Sequence, residues 1–273
     1  MDQTQLVITD PTTPKMRKVA RLSGRSYRNK QGLIRVEGPQ AVAELLRYAP
    51  DSIHDVYISE GATRPDVVML ALDTVQWVHN CTDKVVEAIA PGSQGIVAVA
   101  DASIVAGVLA EALGGTGPVV LVPSVQDPGN AGTLIRLADA FGASGIVFCK
   151  GAADPTGPKV IRASVGSIFH LPVVSGLDFD SVVLALHGIN IPILGTAGSG
   201  ALSLPELCTQ NSAVDLGQKH AWLFGNEAKG LTKHQLAACK AAVSIPMSGR
   251  AESLNIAAAA SLCLYASQQV HSR

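Results

Sequence analysis

Short runs of nearly uninterrupted Val, Ile and Leu, each followed by a stretch of helical spacing, recur through the second half of this chain. Val119–Val125 is the clearest, and Gly145–Cys149, Leu171–Val174, Ile191–Gly195, Ala221–Phe224 and Ala242–Ile245 follow it. A strand that is apolar on both faces must be covered on both faces, and regular alternation with helices achieves this by winding a parallel sheet. The pattern predicts an α/β fold built on such a sheet. One predicted helix is Gly129–Phe141, with Gly142 placed as its left-handed terminator. Another closes the chain, from about Ser253 to Gln269. In that last helix Leu254, Ala258, Leu262 and Tyr265 recur at helical spacing among alanines. A helix apolar nearly all round fits either core packing or a subunit interface.

Glycine and proline cluster at Leu113-Gly114-Gly115-Thr116-Gly117-Pro118, which reads as a boundary. It divides the 273 residues into an N-terminal domain, 1–113, and a C-terminal domain, 118–273. Each is long enough for its own core. In the first, Asp55–Ser59, Val75–Val78 and Gly95–Ala100 read as strands. Pro39–Tyr48, Pro65–Leu72 and Thr82–Ile89 read as helices, the last opened by Thr82 as N-cap. A small α/β domain is expected there.

Charge is unevenly placed. The formal net charge is −1, yet Lys15, Arg17, Lys18, Arg21, Arg25, Arg28, Lys30 and Arg35 follow one another with no acidic residue between them. The other Lys and Arg are outnumbered by 22 Asp and Glu. A basic block on an otherwise acidic chain is either a phosphate-contacting surface or a solvated helix face. Cys81, Cys149, Cys208, Cys239 and Cys263 have neither zinc-ligand nor redox spacing. The 7 histidines form no His-x-x-x-His or His-Glu-x-x-His pair, so no metal is expected. Met1-Asp2-Gln3-Thr4-Gln5 is not the start of a basic-then-apolar leader, and the Leu254–Tyr265 run is too short and alanine-rich to span a bilayer. A reducing, cytoplasmic setting without a membrane partner is expected.

Polar groups collect where predicted strands end. Asp127-Pro128-Gly129-Asn130-Ala131-Gly132-Thr133-Leu134-Ile135-Arg136 leaves a strand through a turn and enters a helix. Taken alone, Asn130 reads as an N-cap and Arg136 as a surface cation; alternatively, both face a cleft. In Leu223-Phe224-Gly225-Asn226-Glu227-Ala228-Lys229-Gly230-Leu231, Gly225 and Gly230 permit close backbone approach to a ligand. Open α/β sheets hold ligands in loops of this kind, beyond the carboxyl ends of their strands. Glu227 is a helix-start carboxylate by position, or a site residue. Ile245-Pro246-Met247-Ser248-Gly249-Arg250-Ala251-Glu252-Ser253-Leu254-Asn255 ends a strand and opens the last helix. Ser253 fits an N-cap there, and Arg250 is a loop charge able to meet phosphate. Thr196-Ala197-Gly198-Ser199-Gly200 also follows a strand. It has neither Gly-x-Gly-x-x-Gly spacing nor a Walker lysine, which argues against a dinucleotide or nucleoside triphosphate. No Gly-x-Ser-x-Gly elbow suggests acyl transfer.

In order and spacing, the segments 127–136, 223–231 and 245–255 resemble the three motifs of the SpoU (TrmH-like) branch of the SPOUT RNA methyltransferases. That family moves a methyl group from S-adenosylmethionine to a ribose 2′-hydroxyl. The resemblance implies a deep C-terminal trefoil knot and a homodimer that completes each active site. It assigns catalysis to Asn130, Arg136, Glu227, Ser253 and Asn255, the arginine acting across the dimer in some members. It assigns the cofactor to Thr196, Ala197, Gly198, Leu223, Gly225, Asn226, Gly230, Ile245, Met247, Ser253 and Leu254. Leu33-Ile34-Arg35-Val36-Glu37-Gly38-Pro39 resembles the start of the substrate-binding domain that precedes many such catalytic domains and looks like a small ribosomal RNA-binding protein. RNA contacts are then expected from Arg17, Lys18, Arg21, Arg25, Arg28, Arg35, Arg162 and Arg250. The expected substrate is 23S ribosomal RNA; a transfer-RNA methyltransferase and a non-catalytic RNA-binding relative are the alternatives.

Overall fold

The computed structural model describes residues 7–209, 214–226 and 229–271, which form two compact units. The first begins with α1 (Pro14–Arg21) and α2 (Arg25–Gln31). It continues through β1 (Leu33–Glu37), α3 (Pro39–Tyr48), β2 (Ile53–Ser59), α4 (Pro65–Thr74), β3 (Val78–Cys81), α5 (Asp83–Ile89) and β4 (Ile96–Asp101). The strand order is β1-β4-β2-β3, with β4 antiparallel to β1 and β2, and β3 parallel to β2. On one face Met16 and Val19 of α1 and Val85, Val86 and Ile89 of α5 pack against Tyr57, Val97 and Val99. The strand expected at Val75–Val78 begins where the other ends: α4 runs to Thr74, and Val78 is the first residue paired with β2, opposite Val56. Thr82 occupies the N-cap position of α5 but its side chain makes no capping hydrogen bond. Strand β1 is hidden in the sequence by its charges, because Arg35 and Glu37 are buried as a pair.

The second unit starts with α6 (Leu109–Gly114), β5 (Val119–Val122), α7 (Pro128–Ala140) and β6 (Gly145–Cys149). The chain then lends Asp154–His170, including α8 (Pro158–Ser164), to the first unit. The second resumes with β7 (Val173–Leu177), α9 (Phe179–Gly188), β8 (Ile193–Thr196), β9 (Leu202–Ser203), α10 (Leu204–Leu207), β10 (Ala221–Leu223), α11 (Lys233–Ala237), β11 (Ala241–Ser244) and α12 (Ile256–His271). A single cut between residues 113 and 118 does not capture this exchange. Val160, Ile161 and Ile168 are buried as α8 packs on β1 and α3, and two ion pairs join in: Asp154 meets Arg28, and Arg162 meets Glu37.

The second unit's sheet has 7 strands in the order β7-β6-β5-β10-β8-β11-β9, all parallel. Successive side chains on a strand point to opposite faces. Leu121, Val147, Val174, Ile193 and Leu223 accordingly share one face with Val182 and Leu186 of α9. Trp222 donates its indole N–H to the Ser267 hydroxyl of α12 at 2.8 Å. Helix α12 packs on α7, where Phe141 and Tyr265 meet edge to face at 6.2 Å. This strand order makes β5, β10, β8 and β11 neighbours. The loops leaving their carboxyl ends are the four polar segments.

Candidate active site

A cavity of about 490 Å³ lies at the carboxyl ends of β8, β10 and β11. Thr196, Ala197 and Gly198 line it from the loop after β8. Gly225, Asn226 and Gly230 line it from the loop after β10, and Ile245, Met247, Ser253 and Leu254 from the segment after β11. The middle loop is tight: Asn226 N–H donates to the Gly230 carbonyl at 3.2 Å and Gly230 N–H to the Asn226 carbonyl at 2.8 Å. A Cβ on Gly225 would stand 2.5 Å from the Gly230 carbonyl carbon, and Gly230 has φ +63°. Only residues without side chains close the loop in this way. Leu223 departs from expectation. Its side chain alternates into the sheet core, and only its carbonyl approaches the site, accepting from the Thr196 hydroxyl at 3.3 Å. Glu227 lies outside the described residues.

Beside this cavity's loops two helices begin. Asp127, not Asn130, caps α7: its carboxylate accepts from Asn130 N–H at 2.8 Å. Asn255, not Ser253, performs the same task for α12, accepting from Ala257 N–H at 2.8 Å. Ser253 is thereby left on the cavity wall. The Asn255 side-chain amide donates to the Asn130 side-chain oxygen at 3.2 Å. Two of the expected catalytic side chains therefore meet from segments far apart in sequence, at two helix N-termini that both carry partial positive charge. Arg136 does not join them within one chain. Six residues along a helix is about 240° of rotation and roughly 9 Å of rise from Asn130, and Arg136 is exposed; none of Asn130, Asn255 and Arg136 lines the cavity itself.

The basic candidates divide by burial. Arg17, Lys18, Arg21, Arg25, Arg162 and Arg250 are exposed. Arg28 and Arg35 are 3% and 5% exposed and cannot reach a phosphate. Arg28 donates to Asp154 at 2.6 Å, to the Thr156 hydroxyl at 3.1 Å and to the Leu22 and Ser23 carbonyls. Arg35 donates to Glu37 at 2.8 and 2.5 Å and to the carbonyls of Val19, Ala20 and Ile89. A five-donor planar fork is the side chain best able to satisfy several buried acceptors at once. Arg162 is half-committed, bonding Glu37 at 3.3 Å and the Pro91 carbonyl at 3.1 Å.

Among the described residues no group of His, Cys, Asp and Glu is arranged to hold a metal ion, and no helix is long and apolar enough to cross a membrane. A larger hollow of about 1090 Å³ lies at the amino ends of the strands, near Pro192, Lys219 and Lys240. No motif segment reaches it, and the Lys219 ammonium there is already bound by the Leu113 and Gly115 carbonyls.

The model of the SpoU rRNA Methylase family matches residues 117–265. The chain belongs to this family. It is also similar to the 23S rRNA (guanosine(2553)-2′-O)-methyltransferase RlmP of Bacillus subtilis, 30% identical over 251 residues, 92% of this chain and 94% of that protein. Among solved structures, the SpoU methyltransferase AviRb from Streptomyces viridochromogenes in complex with AdoMet is 26% identical with a TM-score of 0.80, covering 94% and 98% of the two chains. An AdoMet-bound rRNA methyltransferase from Sinorhizobium meliloti, 24% identical, shares the fold with a TM-score of 0.81 over 97% of each chain.

The SpoU cavity of this chain fits a nucleoside cofactor. Its volume is that of a small-ligand pocket. Phe224, Leu231, Ile245, Leu254 and Ile256 give it an apolar side, while Thr196, Asn226 and Ser253 supply hydrogen-bonding groups. Two charged residues of the lining, Lys229 and Glu252, are absent from the sequence-derived set. Both fall within the polar segments 223–231 and 245–255, but a single loop charge has no spacing that distinguishes it from a solvated one.

Proposed function

We propose that this protein transfers a methyl group from S-adenosylmethionine to a ribose 2′-hydroxyl of 23S ribosomal RNA. The observation that carries the reading is the likeness to RlmP across 92% of the chain, because it includes the N-terminal unit as well as the catalytic motifs. That breadth favours a ribosomal substrate over transfer RNA.

S-adenosylmethionine supplies a methyl already activated by its sulfonium. The chain's task is to bring the ribose oxygen into line and accept the charge that develops on it. Positioning of this kind is worth up to about 7–11 kcal/mol. Asn130 and Asn255, already bonded to each other, orient the hydroxyl, and Glu227 shares its proton. Ser253 holds the cofactor side of the site. Arg136 grips the neighbouring phosphate and stabilises the developing alkoxide; a guanidinium has no acceptor and stays protonated, so it is not the base. Its position on α7, turned away from Asn130, suits action on the site of a second copy. The exposed Leu262 and Tyr265 on α12, 44% and 51% accessible, suit the homodimer this requires. The family's trefoil knot would be drawn by the loops that enclose the cavity.

Arg17, Lys18, Arg21, Arg25 and Arg162 on the first unit, and Arg250 on the second, each supply charge for RNA. The working compartment is the cytoplasm, where a ribosomal substrate is found. Mapping 2′-O-methyl groups on 23S and transfer RNA from cells with and without the gene tests the reading. A single 23S ribose that loses its methyl supports it, and loss confined to transfer RNA, or no loss, overturns it.

A further inference from the structure

Two side chains of opposite charge, Lys229 and Glu252, line the cavity from different loops. Lys229 belongs to the loop after β10, whose backbone is anchored there: Lys229 N–H donates to the Asn226 side-chain oxygen at 3.3 Å. Glu252 immediately precedes Ser253 in the segment after β11. The described lining is otherwise apolar, amide, hydroxyl or backbone. A lone ammonium in such a wall would favour an anion and a lone carboxylate a cation. One of each favours a ligand that carries both charges on one end and an uncharged, partly apolar body on the other.

S-adenosylmethionine has this form. Its adenosine suits the apolar side given by Phe224, Leu231, Ile245, Leu254 and Ile256, and its methionine tail is a zwitterion. Resting on the cofactor reading above, we propose that Lys229 and Glu252 clamp that tail, the lysine ammonium on its carboxylate and the glutamate on its α-ammonium. The clamp has a kinetic signature. The tail is unchanged when the methyl leaves, so substrate and product cofactor are gripped equally. Binding that is uniform along the reaction lowers KM without raising kcat. The same grip makes the demethylated product a strong inhibitor. Lys229 and Glu252 are thus positioning residues, distinct from the groups that meet the reacting atoms.

Titration calorimetry on the full chain separates this role from a merely structural one. The probes are S-adenosylmethionine, S-adenosylhomocysteine and 5′-methylthioadenosine; the last keeps the nucleoside and the neutral sulfur but lacks the tail. Wild type is expected to bind S-adenosylhomocysteine more tightly than 5′-methylthioadenosine. Lys229→Ala and Glu252→Gln should each weaken both tailed ligands by about twofold to fivefold, the range for exposed charge pairs, and leave 5′-methylthioadenosine unchanged. Lys229→Arg should restore most of the loss. KM for the cofactor should rise with kcat constant. Equal weakening of all three ligands would show that these residues only shape the loop and would overturn the clamp. So would unchanged S-adenosylhomocysteine affinity with weakened RNA binding, which would reassign Lys229 to a phosphate. If wild type bound none of the three, the cofactor reading itself would fall, and the clamp with it.

Discussion

Asn255 donates its side-chain amide to the Asn130 side-chain oxygen at 3.2 Å while its own side-chain oxygen caps α12 through Ala257 N–H at 2.8 Å. One residue therefore holds a helix end and orients a site partner with different atoms. The two roles can be separated. Asn255→Asp keeps the capping oxygen and removes the donor to Asn130. Its thermal midpoint should stay near wild type, whereas Asn255→Ala should lose about 1 kcal/mol from the missing cap. Both should cut kcat about 100-fold, as should Asn130→Ala. The double variant Asn130→Ala with Asn255→Asp should be little worse than either alone, because the pair acts as a unit. Single-turnover methyl transfer and differential scanning calorimetry read the two effects.

Arg136 stands on α7 turned away from Asn130, so its loss should fall on chemistry and not on the cofactor. Arg136→Ala should lower methyl transfer about 1000-fold with S-adenosylmethionine affinity nearly intact. Action across a dimer makes a further demand. Mixing Arg136→Ala with a cofactor-dead variant should regenerate one complete site in each mixed dimer, about a quarter of wild-type activity for random twofold assembly. No recovery after subunit exchange would place the arginine in its own chain's site.

Gly225→Val supplies that cofactor-dead variant. A Cβ at this position would be 2.5 Å from the Gly230 carbonyl carbon and 2.7 Å from Leu231 N, so the loop after β10 must open. Because the strand core below it, Leu121, Leu223 and Ile193, is untouched, the variant should stay folded by circular dichroism. Its S-adenosylmethionine affinity should fall at least about 100-fold, the scale on which misplaced site geometry is felt.

The parallel sheet was legible because its strands are apolar on both faces; Val119–Val122 and Gly145–Cys149 are buried throughout. The three loops around the cavity were legible because glycine, proline and polar residues interrupt those runs at their carboxyl ends. What pattern could not supply was partner choice. Nothing local to Arg28 distinguishes it from Arg25: both meet Asp154, at 2.6 and 3.5 Å, and only folding buries the first and leaves the second exposed. Side-chain alternation sends Leu223 into the core although its neighbours Phe224 and Gly225 face the cavity. Ser253 and Asn255 are both good N-caps by chemistry; α12 begins at Ile256, which makes Asn255 the cap and leaves Ser253 on the cavity wall.

The pair of buried Arg28 and part-buried Asp154 gives the first unit an acid sensitivity with a definite sign. Burial pushes the Asp154 carboxyl upward, but hydrogen bonds from Thr156 and the Arg28 guanidinium outweigh it and hold the group below its ordinary 3.8. A carboxylate whose folded pKa is depressed contributes stability that is complete above its unfolded value and is lost as pH falls through the folded one. Stability should therefore decline below about pH 4. In Asp154→Asn that portion of the pH dependence should vanish. Arg28→Ala should cost about 2–3 kcal/mol at neutral pH, since it removes a charged hydrogen-bond donor from a part-buried carboxylate that keeps Thr156 and Arg25. Replacing both partners together, Arg28→Met with Asp154→Leu, should cost much less. By contrast Arg17→Ala with Lys18→Ala should leave the thermal midpoint unchanged, weaken binding to ribosomal RNA and reduce its salt dependence, because those charges face solvent. Urea titrations at several pH values and RNA binding at several salt concentrations distinguish the two sets. A stable Arg28→Ala protein with weakened, less salt-dependent RNA binding would return that arginine to the RNA-contacting group.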